Sequence, residues 1–185
     1  MTQNLLIKRE LQGDAALPPR LSHFWSEFEK ARSDTKHAVA SLTPEDLAWK
    51  ALSNSNSIGM LLLHIAVVEL DWVVHDIARQ KVDPRLHQEL LMEHLEGSPT
   101  LFDPGQQPLE WYVSRLDETR DVTRRILGSL SESELEGWRG ADRPGVHYEL
   151  QVGWILAHLI QHEAAHRGQV QMLKSLRKSM TAEAP

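Results

Sequence analysis

The chain has 185 residues, 41% of them apolar and 25% charged, which fits one ordinary globular domain and excludes a disordered or fibrous chain. Twenty Lys and Arg against 26 Asp and Glu leave a formal charge of −6, which argues against a dedicated nucleic-acid partner. There is no Cys, hence no disulfide framework, no cysteine-ligated zinc and no cysteine nucleophile. Met1 to Lys8 shows no basic segment leading into an apolar run, and no window approaches ~18 uninterrupted apolar residues. Neither a signal peptide nor a membrane span is expected, and the expected compartment is the cytoplasm. Ten His and six Trp stand out for a chain of this size.

Helical periodicity dominates. Leu21, Phe24, Trp25, Phe28, Ala31, Thr35, Ala38, Val39 and Leu42 recur at three- and four-residue steps, predicting a long helix from Leu21 to Leu42 behind Pro18 and Pro19. Thr43-Pro44-Glu45-Asp46 reads as a fresh N-cap with a proline at the first helical position, opening a short helix that reaches Trp49. After the polar loop Ser53–Ser57, a second long helix is predicted to Gln80. It is apolar almost all round, so it must be buried on several sides, centrally or beneath a second copy of the chain. The latter reading predicts a homodimer. Asp83-Pro84 breaks it, a short piece from Leu86 to Leu95 follows, and a Gly/Pro-rich loop runs from Gly97 to Pro108. The third long helix begins at Pro108 and carries Leu109, Tyr112, Val113, Leu116, Thr123, Ile126, Leu127 and Leu130 on one face. Gly137, Gly140, Pro144 and Gly145 punctuate the next stretch, which predicts a loop or small hairpin between Glu136 and Leu150. A fourth long helix spans Leu150 to Ser179. Four long helices around one core make an all-α four-helix bundle, a single domain with short tails.

The fourth helix places His158, His162 and His166 at strict four-residue spacing, within about 80° of one another and on the arc of Trp154, Ile155, Leu159, Leu173 and Leu176. An unpartnered polar group on an apolar stripe costs roughly 1–3 kcal/mol, and a metal ion would satisfy several imidazoles at once. Side chains at i and i+4 are ~5–6 Å apart at Cβ, so two imidazoles can take adjacent positions around one ion. The outer two of the three are ~12 Å apart along the axis, so one is expected to be left out. Spacing alone leaves open whether the pair is His158 with His162 or His162 with His166. His64, within the run Leu61-Leu62-Leu63-His64-Ile65-Ala66, is the nearest third ligand, its alternative being a satisfied core histidine. Val68, Asp71 and His75 share its helical face. His23, His37, His87, His94 and His147 lie on charged faces or in loops.

His162-Glu163-Ala164-Ala165-His166 also matches the H-E-x-x-H of zinc metallopeptidases. The extension needed for a third histidine is absent, with Gln169 and Met172 at those places, and only Glu183 follows as a later acid. A zinc peptidase is therefore the least favoured reading.

The run from Ser57 to Ala66, together with the H-x-x-x-H-R-G-Q of His162 to Gln169, resembles the DinB/YfiT-like family, and the order of elements agrees over roughly residues 20–178. (The damage-inducible, metal-binding DinB is meant, not the polymerase of that name.) The resemblance implies a bundle of up-down-down-up order, commonly a homodimer, with a divalent ion, zinc or nickel, on His64, His162 and His166. His158 and Gln169 would then line or support the site. Relatives include S-transferases and isomerases that use bacillithiol, mycothiol or glutathione, and proteins labelled metal-dependent hydrolases. The expected ligand is a small-molecule substrate, with a low-molecular-weight thiol as cosubstrate, rather than a nucleic acid or a membrane. Glu163 is the one candidate base on the helix, a solvated surface glutamate being its alternative.

Overall fold

Pro18 and Pro19 open the first helix, α1 (Pro19–Val39), where a missing N–H costs no ladder bond. The computed structural model describes residues 10–94, 101–143 and 145–182. Helix α1 buries Leu21, Phe28, Ala31, Thr35, Ala38 and Val39, the predicted stripe. It ends before the expected Leu42, because the chain must turn extended at Thr43 to cap α2 (Pro44–Ala48). There Thr43 Oγ1 accepts from Asp46 N at 3.2 Å and Asp46 Oδ2 accepts from Thr43 N at 2.9 Å, a complete capping box.

Ser57 caps α3 (Ile58–Asp71), its Oγ accepting from Met60 N at 3.2 Å. Every residue from Ser57 to Leu70 is buried except His64. That burial is completed inside one chain, so the apolarity of this helix is no argument for a second copy. Gly59 is needed where α3 meets its neighbours, since a Cβ there would come within 2.7 Å of Tyr112 Cζ. The predicted single helix to Gln80 does not persist as an α-helix. From Trp72 to Ile77 it widens to π winding, with Ala78 N donating to Val73 O at 3.0 Å.

The predicted piece Leu86–Leu95 divides into α4 (Pro84–Glu89) and a 3₁₀ turn, Met92–His94; Leu95 and the first residues of the following loop lie outside the described residues. Helix α5 (Leu109–Ser129) follows with Pro108 as its N-cap. The hairpin falls where expected, with β1 (Trp138–Arg143) pairing antiparallel with β2 (Val146–Gln151) and turning at Gly145, whose φ of 79° suits glycine. Helix α6 (Val152–Ala182) closes the bundle.

Cross-helix contacts fix the topology. Along α1 and α6, Arg32 meets Glu163 and Asp34 meets Arg167, so the two run parallel. Helices α3 and α5 are also parallel, with Gly59 against Tyr112 and Glu69 against Thr123. His64 with His166 and Trp72 with Trp154 make α3 and α6 antiparallel. The order is up-down-down-up, and the segment from π winding to Pro108 is the long crossover that two parallel neighbours require.

At the centre lies a buried ionic quartet, one member from each long helix: Arg32, Glu69, Arg120 and Glu163. Arg32 Nη2 donates to Glu69 Oε2 at 2.7 Å and Arg32 Nε to Glu163 Oε1 at 2.9 Å. Arg120 Nη2 donates to Glu163 Oε2 at 2.9 Å and Glu69 Oε2 at 3.1 Å, and Thr123 Oγ1 donates to Glu69 Oε1 at 2.7 Å. Arg120 Nε lies 3.0 Å from Glu69 Oε1 as an ion contact without hydrogen-bond alignment. Two positive and two negative charges cancel, which is what makes their removal from water tolerable.

Removing one member leaves one buried charge uncompensated. Arg120→Met is expected to lower unfolding stability by ~3–5 kcal/mol in urea titrations, the cost of breaking a buried pair. The quartet also predicts the acid response. Burial pushes the Glu69 carboxyl up, but Arg120 and Arg32, joined by the Thr123 hydroxyl, outweigh it and hold it below the ordinary range. A depressed folded-state value means this stability is complete above the unfolded value near ~4.3 and is lost as pH falls through the folded one. Urea titrations from neutral to acid pH are expected to show the wild-type advantage over Arg120→Met intact at about pH 5 and narrowing below ~4.

Candidate metal centre

His162 and His166 sit one turn apart on α6, on the flank of that helix rather than on its buried stripe. The buried positions are Val152, Ile155, Leu156, Leu159, Glu163, Val170 and Leu173, while the imidazoles are half-buried. Trp154 and Leu176, expected on the core arc, are exposed. Antiparallel packing brings His64, half-buried within the otherwise buried run from Ser57 to Leu70, against this flank. His64 Nε2 lies 3.1 Å from His162 Nε2, and His166 Nε2 lies 3.0 Å from the same atom. All three donor nitrogens fall within 4.8 Å of one another.

Two imidazole nitrogens at adjacent vertices of a tetrahedral zinc, each ~2.0–2.1 Å from the ion, would be ~3.3 Å apart. The spacings between His162 and its two neighbours are close to that. Burial, followed by the neighbouring His166, holds His64 down at about 4. Burial again comes first for His162, followed by His166, His64 and His158, and it is held at about 3 despite an opposing pull from Glu69. Both rings are thus neutral near pH 7, so each can offer a nitrogen lone pair to a cation in place of its hydrogen bond to the neighbouring ring. Gln169 Oε1 lies 2.9 Å from His166 Nδ1. A hydrogen on Nδ1 donated to that oxygen leaves Nε2 as the lone-pair nitrogen facing the cluster. The donor set is three half-buried imidazole nitrogens, which suits a divalent transition-metal ion with a coordination position left open.

The remaining sequence-derived residues separate cleanly. His158 stays out of the cluster: its ring centroid is 6.1 Å from that of His162, and it stacks instead on Trp72 at 4.8 Å and Trp154 at 5.0 Å. Asp71 and His75 bond each other, Oδ1 to Nδ1 at 2.6 Å. Glu163 is neither at the edge of the histidine face nor solvated. It is 2% exposed and both its oxygens are held by arginines of the quartet. The position after His162 turns ~100° away along the helix, and without this carboxylate the two guanidiniums would share Glu69 alone, leaving one buried positive charge uncompensated. The glutamate of the H-E-x-x-H match is thus engaged with Arg32 and Arg120 in the core rather than with the histidine cluster. Of the two tryptophans flanking His158, the sequence reading placed Trp154 on the histidine arc but did not bring Trp72 to it; the π winding that sets Trp72 leaves no mark in apolar periodicity.

The mycothiol S-transferase family matches residues 24–179. No curated protein matches the chain in sequence. A conserved protein from Enterococcus faecalis shares the fold at TM-score 0.65 and 13% identity, over 83% of this chain and 94% of that one. A DinB-like protein from Bacillus cereus does so at TM-score 0.61 and 17% identity, over 84% of this chain and 91% of that one. Identities this low speak for the fold alone, whereas the family match spans most of the sequence. The chain belongs to the mycothiol S-transferase family, within the DinB/YfiT-like four-helix bundles.

Proposed function

We propose that this protein is a metal-dependent S-transferase that joins a low-molecular-weight thiol to a small electrophile. The observation that carries the reading is the convergence of His64, His162 and His166 Nε2 on one point with an open side, in a mycothiol S-transferase chain. A divalent ion held there would supply Lewis acidity, which favours the thiolate form of a thiol at neutral pH. The chain has no cysteine, so the reacting sulfur belongs to the cosubstrate. Transfer forms one S–C bond and breaks the bond from that carbon to its leaving group; the leaving group departs with the electron pair and the thiol proton passes to solvent. Gln169 sets the tautomer of His166, and the quartet fixes α3 against α6 so that the three rings meet. Glu163, tied into the core, takes no proton in this scheme.

Protein purified without a histidine tag and loaded with zinc or nickel is expected to hold one ion per chain. An ion that binds only the folded state raises stability by about 2.7 kcal/mol at a hundredfold excess over Kd, a gain visible in the melting temperature. His64→Ala, His162→Ala and His166→Ala are each expected to lose the ion and that gain, whereas His158→Ala keeps both. Loss in His158→Ala with retention in His166→Ala would move the site one turn toward Trp154. Conjugation of mycothiol, bacillithiol or glutathione to an alkylating reagent, followed by mass spectrometry, is expected to exceed the uncatalysed rate and to stop on chelation. Metal binding without conjugation would leave a hydrolase or a non-catalytic metal-binding protein in its place.

A further inference from the structure

A cavity of about 140 Å³ lies between the π winding, the start of the crossover and α5. Its walls are the side chains of Leu70, Val74, Val82, Leu86, Val122 and Ile126, each at most 8% exposed. None of them belongs to the histidine cluster or the ionic quartet. Leu70 is six residues from His64, so it points ~120° away around α3. The corner forms where the chain leaves the π winding: Arg79, with a φ of 56°, turns it, and Arg85, paired with Glu118, ties the returning segment to α5. A left-handed conformation is sparsely populated for a residue with a Cβ, and such residues gather at ligand-holding turns.

The mouth of this hollow is charged. Lys81 and Arg125 line it from exposed positions, and among the described residues neither side chain has a hydrogen bond or an ion pair. Cations beside them do: Arg124 pairs with Asp14, and Arg85 with Glu89 and Glu118. Asp83 also lines the mouth, but its Oδ1 accepts from Arg85 N at 2.9 Å in capping α4, and the two cations outnumber it. Gln80 adds a neutral amide.

Apolar walls with unpaired cations at the rim complement one kind of molecule. A cavity of ~150 Å³ accommodates a benzene-sized group, and water enclosed by apolar walls finds few partners there. A guanidinium meets a carboxylate through two parallel hydrogen bonds. We propose that this corner binds a small monocarboxylate with an apolar body of about six carbons, the body in the hollow and the carboxylate on Arg125 and Lys81. The site is separate from the metal centre, so it stands or falls independently of the S-transferase reading.

The test is titration of the full chain with hexanoate, 1-hexanol and acetate, read by NMR shifts of the valine and isoleucine methyl groups. Hexanoate is expected to saturate at millimolar concentration and to move the methyl signals of Val74, Val82, Val122 and Ile126. Hexanol, lacking the charge, and acetate, lacking the body, are each expected to bind about tenfold more weakly or worse. Arg125→Gln, a change at an exposed position, is expected to weaken hexanoate about tenfold, and Arg125→Lys to recover part of the loss. Loading with zinc is expected to leave the hexanoate affinity within about twofold, whereas a carboxylate held by the ion would depend on it. No saturation, methyl signals that stay put, equal affinities for hexanoate and hexanol, or an affinity that Arg125→Gln leaves unchanged would each overturn the proposal. So would binding that appears only with zinc, which would move the carboxylate to the histidines.

Discussion

Everything in this bundle is held to the charge cancellation between Arg32, Glu69, Arg120 and Glu163. Each long helix contributes one of the four, so no helix can slide along its neighbours without leaving a buried charge unpaired. Hydrophobic packing alone tolerates such slippage, because one leucine substitutes for another at small cost. A buried ionic network does not, since its energy depends on distance and alignment in a low-dielectric interior. The quartet acts as a register pin.

That pin sits next to the three histidines. Glu163 follows His162 in sequence, and Glu69 lies five residues beyond His64, so both histidine-bearing helices are clamped within about two turns of the imidazoles. Neighbouring positions on a helix differ by ~100°, which lets α6 send a carboxylate into the core and an imidazole into the groove from adjacent residues. The cluster of three nitrogens is therefore set by rigid helices rather than by loops.

Much of this was legible in the residues. Periodicity and capping gave the four long helices, the short α2 and the hairpin, because those features depend on local chemistry at Thr43, Ser57 and Gly145. Four-residue spacing on α6 and the apolar setting of His64 nominated the histidines, and the run His162 to Gln169 chose among them. What could not be read was direction around the helix near the boundary of the apolar stripe. Glu163 and His162 look alike at that edge, and only the arginines arriving from α1 and α5 show which faces inward. Those arginines, Arg32 and Arg120, look like ordinary surface residues in a list of charges, since pairing across 131 and 43 positions has no local signature.

The π winding from Trp72 to Ile77 has its own consequence. A π turn is geometrically an α-helix with one residue inserted, so it shifts the angular phase of everything after it. Upstream, the phase of α3 is fixed by His64 and Glu69. Downstream, the chain leaves the bundle through Ala78 and Arg79, whose φ of 56° turns it out of the helix. The wide turn therefore acts as a phase joint, decoupling the crossover from the helix that carries the site. Single-residue changes of length beyond Arg79 would alter the crossover without rotating His64.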